Sequence, residues 1–491
     1  MSDPANNKWK TLDRDLGRLG QVELATQFIA KPMVGIGIAL IFLILAGLGA
    51  AVFFWQQPPF LIIAAAAVFG GYMALNIGAN DVANNMGPAV GANALTMGGA
   101  IAIAAVAESA GALLAGGDVV STISKGIIDP AGVAQTEIFI WAMMAALISS
   151  AMWVNLATYV GAPVSTTHSV VGGVMGAGIA AAGFGAVNWA TMSKIAASWV
   201  ISPVLGGVIA AIFLAFIKAK IIYQEDKIAA ARRWVPVLIG IMAAAFASYL
   251  ALKGLKRIYK IDLSLALMIG AATGFLLYFV SRPLINRQSQ GLENRNKSLK
   301  ILFNIPLILS AAMLSFAHGA NDVANAVGPL AAIVHALEFD GAATKVAIPL
   351  WVMIIGAFGI SFGLFLFGPK LIRMVGSQIT KLNAMRAYCV ALSAAITVIV
   401  ASWLGLPVSS THIAVGAVFG VGFYREYEVK RRVQKTAKSS KGHSIAPEER
   451  KRRKLVRRSH FMTIIAAWVI TVPAAALLSA VIFLVLNVIF V

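Results

Sequence analysis

"GANDVANNMGP" at residues 78–88 returns as "GANDVANAVGP" at 319–329, 241 residues further on. A second stretch, "GAPVSTTHSVVGGVMG" (161–176), returns as "GLPVSSTHIAVGAVFG" (405–420) at an offset of 244. A weaker echo, "SWVISP" (198–203) and "AWVITVP" (467–473), stands 269 apart because residues 425–460 intervene. Three motifs that keep their order and nearly keep their separation mark a duplication. Solenoid and propeller repeats recur every 20–50 residues or so, far more closely than this. Duplicated halves are instead the construction of many secondary transporters, whose substrate and ion sites lie near the membrane midplane between the halves.

The composition agrees. Of 491 residues 59% are hydrophobic and 12% charged, with 45 glycines, and the mean hydropathy is +0.82. A soluble chain carries about twice that charged share. Apolar runs such as "VGIGIALIFLILAGLGAAVFFW" (34–55) do not alternate, which excludes a spanning β-barrel. Hydropathy places spans near 33–56, 60–78, 97–117, 137–160, 189–218, 233–252, 261–281, 301–318, 345–367, 384–404 and 462–491. Two further stretches, 164–184 and 408–424, are apolar but short and Gly-rich. The expected fold is an all-α polytopic membrane protein of about twelve helices in two repeats, with broken or re-entrant helices at the midplane.

The expected organisation is a polar N-terminal segment (1–31), an added span (32–56), a first transport repeat (57–217) and a central region with two spans and basic loops (218–300). A second repeat (301–424), a basic loop (425–460) and a final transmembrane segment of that repeat (461–491) follow. No cleavable signal peptide is evident in the first 31 residues, and the single Cys389 excludes an intrachain disulfide. The net charge of +20 is concentrated: residues 425–460 hold 14 Lys or Arg against 4 Glu, a net of +10. That pattern reads as positive-inside topology, with 282–300 and 425–460 cytoplasmic and anionic lipid as the neighbour. No nucleic-acid module is present, and nucleic acid is not an expected partner.

An Asp near the membrane centre costs roughly 2.5–3.5 kcal/mol on insertion scales, so Asp81 and Asp322 require compensation. Each motif closes with Gly-Pro (Gly87-Pro88, Gly328-Pro329), which predicts an interrupted helix with freed carbonyls. Asn80, Asp81 and Asn84, with Asn321, Asp322 and Asn325, supply the oxygen ligands that hard cations prefer. The plain alternative is that these residues only cap helix ends, which needs one residue rather than a repeated cluster. No resident metal is expected beyond a coupling ion.

"PVSTTH" (163–168) and "PVSSTH" (407–412) place Pro before hydroxyl residues and then His, the signature of a helix N-terminus. Such a terminus offers free N–H donors to a tetrahedral oxyanion, with hydroxyls from Ser165, Thr166, Thr167, Ser409, Ser410 and Thr411 beside them. Ordinary Ser/Thr capping is again the plain alternative. Neither motif contains Lys or Arg. A phosphate dianion beside two carboxylates would gather about four negative charges in low dielectric, so a cation must enter with it.

His168 and His412 read equally as proton carriers or as structural hydrogen-bonding residues. Glu108 is a further acid in an apolar span, a third candidate proton carrier, expected to pair with Lys125 or Lys194 or to tune cation binding. The comparable part of the second half, around 356–368, has no Glu, so any role for Glu108 breaks the symmetry.

These paired motifs resemble those of the inorganic phosphate transporter (PiT) family over most of 57–424 and the final hydrophobic segment. The resemblance implies an inverted repeat, phosphate symport with Na⁺ or H⁺ (in some members as a metal–phosphate complex) and a homodimer. It also implies that the Asn, Asp, Ser and Thr residues above line the sites. Carried over, Asp81, Asn84, Ser165, Thr166, Thr167, Asp322, Asn325, Ser409, Ser410 and Thr411 would bind phosphate, and Asn80, Asp81, Asn321 and Asp322 the coupling cation. Bacterial inner-membrane localisation is expected. Pro88 departs from a Thr common in relatives, and residues 1–56 exceed the core pattern.

Sulfate is the alternative substrate. It donates no hydrogen bond at neutral pH, whereas phosphate can donate to Asp81 or Asp322. An intramembrane aspartyl protease would also use two Asp but has no need of the hydroxyl motif. A channel would not need duplicated ion-plus-anion sites. No cofactor and no catalytic group are expected, and "GxxxxGK[ST]" is absent, so an ion gradient is the expected energy source.

Overall fold

The computed structural model describes residues 33–56, 59–128, 133, 135–160, 164–254, 259, 261–339, 348–374, 382–439 and 458–491. The polar segment 1–31 and most of the basic stretch 440–457 therefore lie outside the described residues. Eleven described helices are long and apolar enough to cross a membrane. The described residues are otherwise helix and turn, with one isolated bridge between Ile128 and Val187.

The first half opens with α1 (Met33–Phe53), α2 (Phe60–Asn80), α3 (Val82–Gly91) and α4 (Met97–Ala115). A short α5 (Gly117–Ser121) passes into a π-turn at Thr122–Gly126. Next come α6 (Thr136–Val160), α7 (Thr166–Ala182) and α8 (Trp189–Ile217). The central hairpin is α9 (Lys227–Lys253) and α10 (Leu263–Gln288), followed by α11 (Asn296–Leu302). The second half runs through α12 (Asn304–Phe339), α13 (Leu350–Met374), α14 (Ala384–Trp403), α15 (Ser410–Ser439) and α16 (Arg458–Phe490).

Burial follows composition. Helix α12 packs against α2, α4, α6, α13 and α14 and is buried almost all round. Helices α1 and α10 keep broad apolar faces exposed, as expected where lipid rather than protein is the neighbour. The added α1 lies on α2 and α13, with Phe42 and Phe362 ring centroids 5.4 Å apart.

The two halves interlock. Helix α7 of the first half packs on α16 at the chain's end, and α15 packs on α8. Both contacts use glycines at motif-equivalent positions. A Cβ at Gly176 would stand 2.1 Å from the Ala476 carbonyl oxygen, and one at Gly420 would stand 2.0 Å from that of Gly207. Lipid supplies no hydrophobic force between helices, so close backbone approach at small residues carries the packing.

Three expectations need correction. The predicted break at the polar motifs is slight in the first copy and missing in the second. Asp81 separates α2 from α3 but keeps helical dihedrals, and its N–H still donates to Ile77 O at 2.9 Å. The second copy lies within the unbroken α12, with Pro329 inside it. Proline removes one N–H and so frees one carbonyl four residues back, and here the helix continues through it without unwinding.

The basic "loops" are also largely helical. Residues 282–288 finish α10, 296–300 lie in α11, and α15 continues to Ser439. Glu428 on that extension pairs with Lys218 and Tyr223 at the end of α8. Lys227 N donates to Asn294 Oδ1 at 2.9 Å, and Arg232 Nε to Ser289 Oγ at 2.6 Å. These contacts gather the basic ends of α8, α9, α10 and α15 on one side of the bundle. The third correction concerns Glu108, whose partner is neither Lys125 nor Lys194 and is described below.

A methyl group at either interlocking glycine should cost roughly 1–3 kcal/mol through overpacking. Thermal unfolding in detergent should therefore fall for Gly176→Ala and Gly420→Ala. It should hold for Gly98→Ala, where nothing stands within 4 Å of the new Cβ.

Candidate functional site

Helix α7 begins at Thr166 because Ser165 caps it, its hydroxyl accepting from the His168 N–H at 3.2 Å. Ser409 does the same for α15, accepting from the His412 N–H at 3.3 Å. The sequence reading of two helix N-termini therefore holds, with Ser165 and Ser409 in the capping role that was its plain alternative, although Pro163 lies outside the described residues. In each helix the first N–H groups have no partner within the helix. Both termini point into the bundle, against the motif segments of α2, α3 and α12.

The polar motifs meet across the halves. Thr166 Oγ1 donates to Asp81 Oδ2 at 2.7 Å, and Ser410 Oγ donates to Asp322 Oδ2 at 3.3 Å. Asn84 Nδ2 donates to Thr411 Oγ1 at 2.9 Å, and Asn325 Nδ2 to Thr167 Oγ1 at 3.0 Å. Each pair is carried onto the other by the offsets of the repeats. Thr411 also donates to Asp81 Oδ1 at 3.1 Å, which ties the second half's hydroxyl helix to the first half's acid. Thr167 donates to Val408 O at 3.0 Å.

Asn80 and Asn321 differ in use. Asn80 Nδ2 lies 3.4 Å from Asp81 Oδ1. Asn321 pins the turn between α14 and α15: its amide donates to Ser402 Oγ and Leu406 O at 3.0 and 3.1 Å, and its oxygen accepts from Val408 N at 3.1 Å. His168 and His412 meet each other edge to face, ring centroids 4.5 Å apart, with Trp199 3.9 Å from His168.

Two residues that sequence reasoning missed complete the cluster. His318 Nδ1 lies 2.6 Å from Glu108 Oε2, and Asn85 Nδ2 donates to Glu108 Oε1 at 3.0 Å. His318 Nε2 lies 2.7 Å from Asp322 Oδ2, one turn on, close but off hydrogen-bond alignment. Both residues flank or sit in the quoted motif, at positions where the copies differ: His318 against Ile77, and Asn85 against Ala326. The difference between copies was the available signal.

Three carboxyl groups and one imidazole are thus fully buried together, Glu108 and His318 at 0% exposure. Asp81, His318 and Asp322 each bring one ligand atom within 4.8 Å of the others. Asp322 Oδ1 and Asn325 Oδ1 accept no hydrogen bond from any described residue. A buried carboxylate oxygen without a donor is costly, and oxygen atoms one helical turn apart suit a hard cation.

A protein of Helicobacter pylori strain J99 named "Putative phosphate permease" is 47% identical over 96% of this chain and 99% of its own length. The chloroplastic inorganic phosphate transporter 2-1 of Arabidopsis thaliana is 36% identical over 86% of this chain and 71% of its own. A solved structure named "The sodium-dependent phosphate transporter" superposes with a TM-score of 0.78 at 36% identity, covering 87% of this chain and all of that one. The sequence pattern of the phosphate transporter family matches residues 77–479, which span both polar motifs, both capped helices and most of α16. The chain belongs to the phosphate transporter family.

Proposed function

We propose that this chain is a secondary symporter that brings inorganic phosphate across the bacterial inner membrane together with a coupling cation, sodium first among the candidates. The observation that carries the reading is the sharing of hydroxyls: Thr166 and Thr411, one from the first turn of each capped helix, are both spent on Asp81. Each hydroxyl has one proton to donate. Phosphate can take these donors only if Asp81 gives them up, and a buried carboxylate gives them up only when a cation replaces them. Substrate and cation thereby strengthen each other's binding, as linkage requires of any coupled pair.

In this reading phosphate sits against the first turns of α7 and α15, with Ser165, Thr166, Thr167, Ser409, Ser410 and Thr411 around it. Asn84 and Asn325 steer the hydroxyls of Thr411 and Thr167. The cation sites draw on Asp81, Asp322 and the side-chain oxygens of Asn80 and Asn321. Sodium is favoured because the 36%-identical solved neighbour is named sodium-dependent. Protonation of an Asp is the competing coupling. A divalent metal–phosphate complex is the second reading, supported by the convergence of Asp81, His318 and Asp322 within 4.8 Å. The recurrence of motif contacts at offset positions supports a two-fold relation between 57–217 and 301–424 with 461–491, inverted as in the transporters built this way. A homodimer is part of the proposal.

Uptake into proteoliposomes under separately imposed Na⁺ and H⁺ gradients tests the reading. An inward Na⁺ gradient alone should drive phosphate accumulation, and Asp81→Asn and Asp322→Asn should each reduce the rate by about 100-fold or more. Accumulation driven only by H⁺, or only with Mg²⁺ present, would replace sodium as the partner. Full activity in both Asn variants would remove the site itself. Binding of phosphate should also show coupling between Asn325 and Thr167: Asn325→Ala and Thr167→Val should be non-additive by roughly 0.5–1.5 kcal/mol in a double-mutant cycle.

A further inference from the structure

The two halves are not equal at their acids. Helix α4 corresponds to α13, because equivalent glycines of the motif helices meet their backbones at corresponding carbonyls. A Cβ at Gly319 would stand 2.1 Å from Glu108 O, and one at Gly78 would stand 1.9 Å from Ile360 O. The register is fixed again at the crossing point, where Ser109 and Ser361, equivalent in this alignment, hydrogen-bond to each other at 2.7 Å. Glu108 therefore corresponds to Ile360, His318 to Ile77 and Asn85 to Ala326. Three polar residues at one crossing of the halves answer to three apolar residues at the equivalent crossing.

Those three are also in mutual contact. Glu108 receives Asn85 at one oxygen and His318 at the other, while Ile77 and Ile360 are both wholly buried. A polar cluster of this kind is costly at the centre of a bilayer unless all its members are present. Its installation at only one of the two equivalent crossings points to a task that only that crossing performs. Its outer end is the Asp322 carboxylate, 2.7 Å from His318 Nε2.

Asp81 and Asp322 accordingly stand in different surroundings. Asp81 has hydroxyl donors at both oxygens. Asp322 has Ser410 at 3.3 Å and His318 on Oδ2, and its Oδ1 accepts nothing from the described residues. With Oδ2 held on the His318 side, Oδ1 is the oxygen left for a ligand, and the unpartnered Asn325 Oδ1 is three residues along the same helix.

We propose that Glu108 and His318 are positioning residues that orient Asp322 to take the coupling cation, while Asp81 organises the hydroxyls. The proposal rests on the cation-coupled reading above. Outer-layer partners of this type typically change ion affinity about 10-fold or more when removed. Their action is on the cation and passes to phosphate only through coupling.

The test is the half-saturating Na⁺ concentration for phosphate uptake by wild-type proteoliposomes and by His318→Ala, Glu108→Ala and Glu108→Gln. His318→Ala and Glu108→Ala should raise it about 10-fold, and Glu108→Gln, which keeps an oxygen for His318 Nδ1, only about threefold. Phosphate KM at saturating Na⁺ should stay within about twofold of wild type. Monodispersity and thermal unfolding in detergent identify any variant that misfolds, and Glu108→Gln alone then decides. Unchanged Na⁺ dependence in folded variants overturns the positioning role, as does a phosphate KM that rises in step with the Na⁺ requirement. A wild type indifferent to Na⁺ removes sodium as the coupling ion and overturns this inference with it.

Discussion

Two carboxylates, Asp81 and Asp322, are buried within reach of each other at the meeting of two half-bundles. Removing even one ionised carboxylate from water costs several kcal/mol after relaxation. The bundle answers with hydroxyls aimed from capped helix ends, amides that hold those hydroxyls, and one imidazole. Some of these contacts cross between the halves: Thr411 reaches Asp81, and Thr167 receives Asn325. The acids thus depend on the halves staying docked, and the docking depends on glycines that bring backbones together. Helix α7 rests on α16 and α15 on α8, so each hydroxyl-bearing helix is seated by a helix remote in sequence.

In the function proposed above, the same arrangement is what makes transport coupled rather than passive. With both nearby threonine hydroxyls donated to Asp81, the site as folded is saturated on one side and short of donors on the other. An oxyanion alone meets carboxylates and competes for their donors. A cation alone relieves the carboxylates and leaves the donors idle. Only the pair satisfies every group, and that mutual need is the coupling free energy.

Much of this was legible in the chain. The offsets of 241 and 244 identified which residues are equivalent, and the hydrogen bonds from Asn84 and Asn325 follow that equivalence. Ser165 and Ser409 were readable as caps because capping chemistry is local. The continuity of α12 was not readable: Gly-Pro predicts a break, yet Pro329 frees a single carbonyl and the buried helix runs on through it. The partner of Glu108 was not readable from hydropathy either, since His318 lies 210 residues away and only tertiary packing brings it near. Its trace was in the repeat itself, as an Ile in one copy and a His in the other.

The central claim is that the buried acids make phosphate binding conditional on a cation. Equilibrium binding of labelled phosphate to the purified protein, titrated with Na⁺ at constant ionic strength, tests it without any gradient or transport step. The account predicts that phosphate Kd falls at least about 10-fold between Na⁺-free and saturating conditions, a coupling of about 1.4 kcal/mol, with phosphate tightening Na⁺ binding by the same factor. A phosphate Kd that stays constant across Na⁺, with H⁺ and Mg²⁺ held fixed and then varied to no effect, would contradict it.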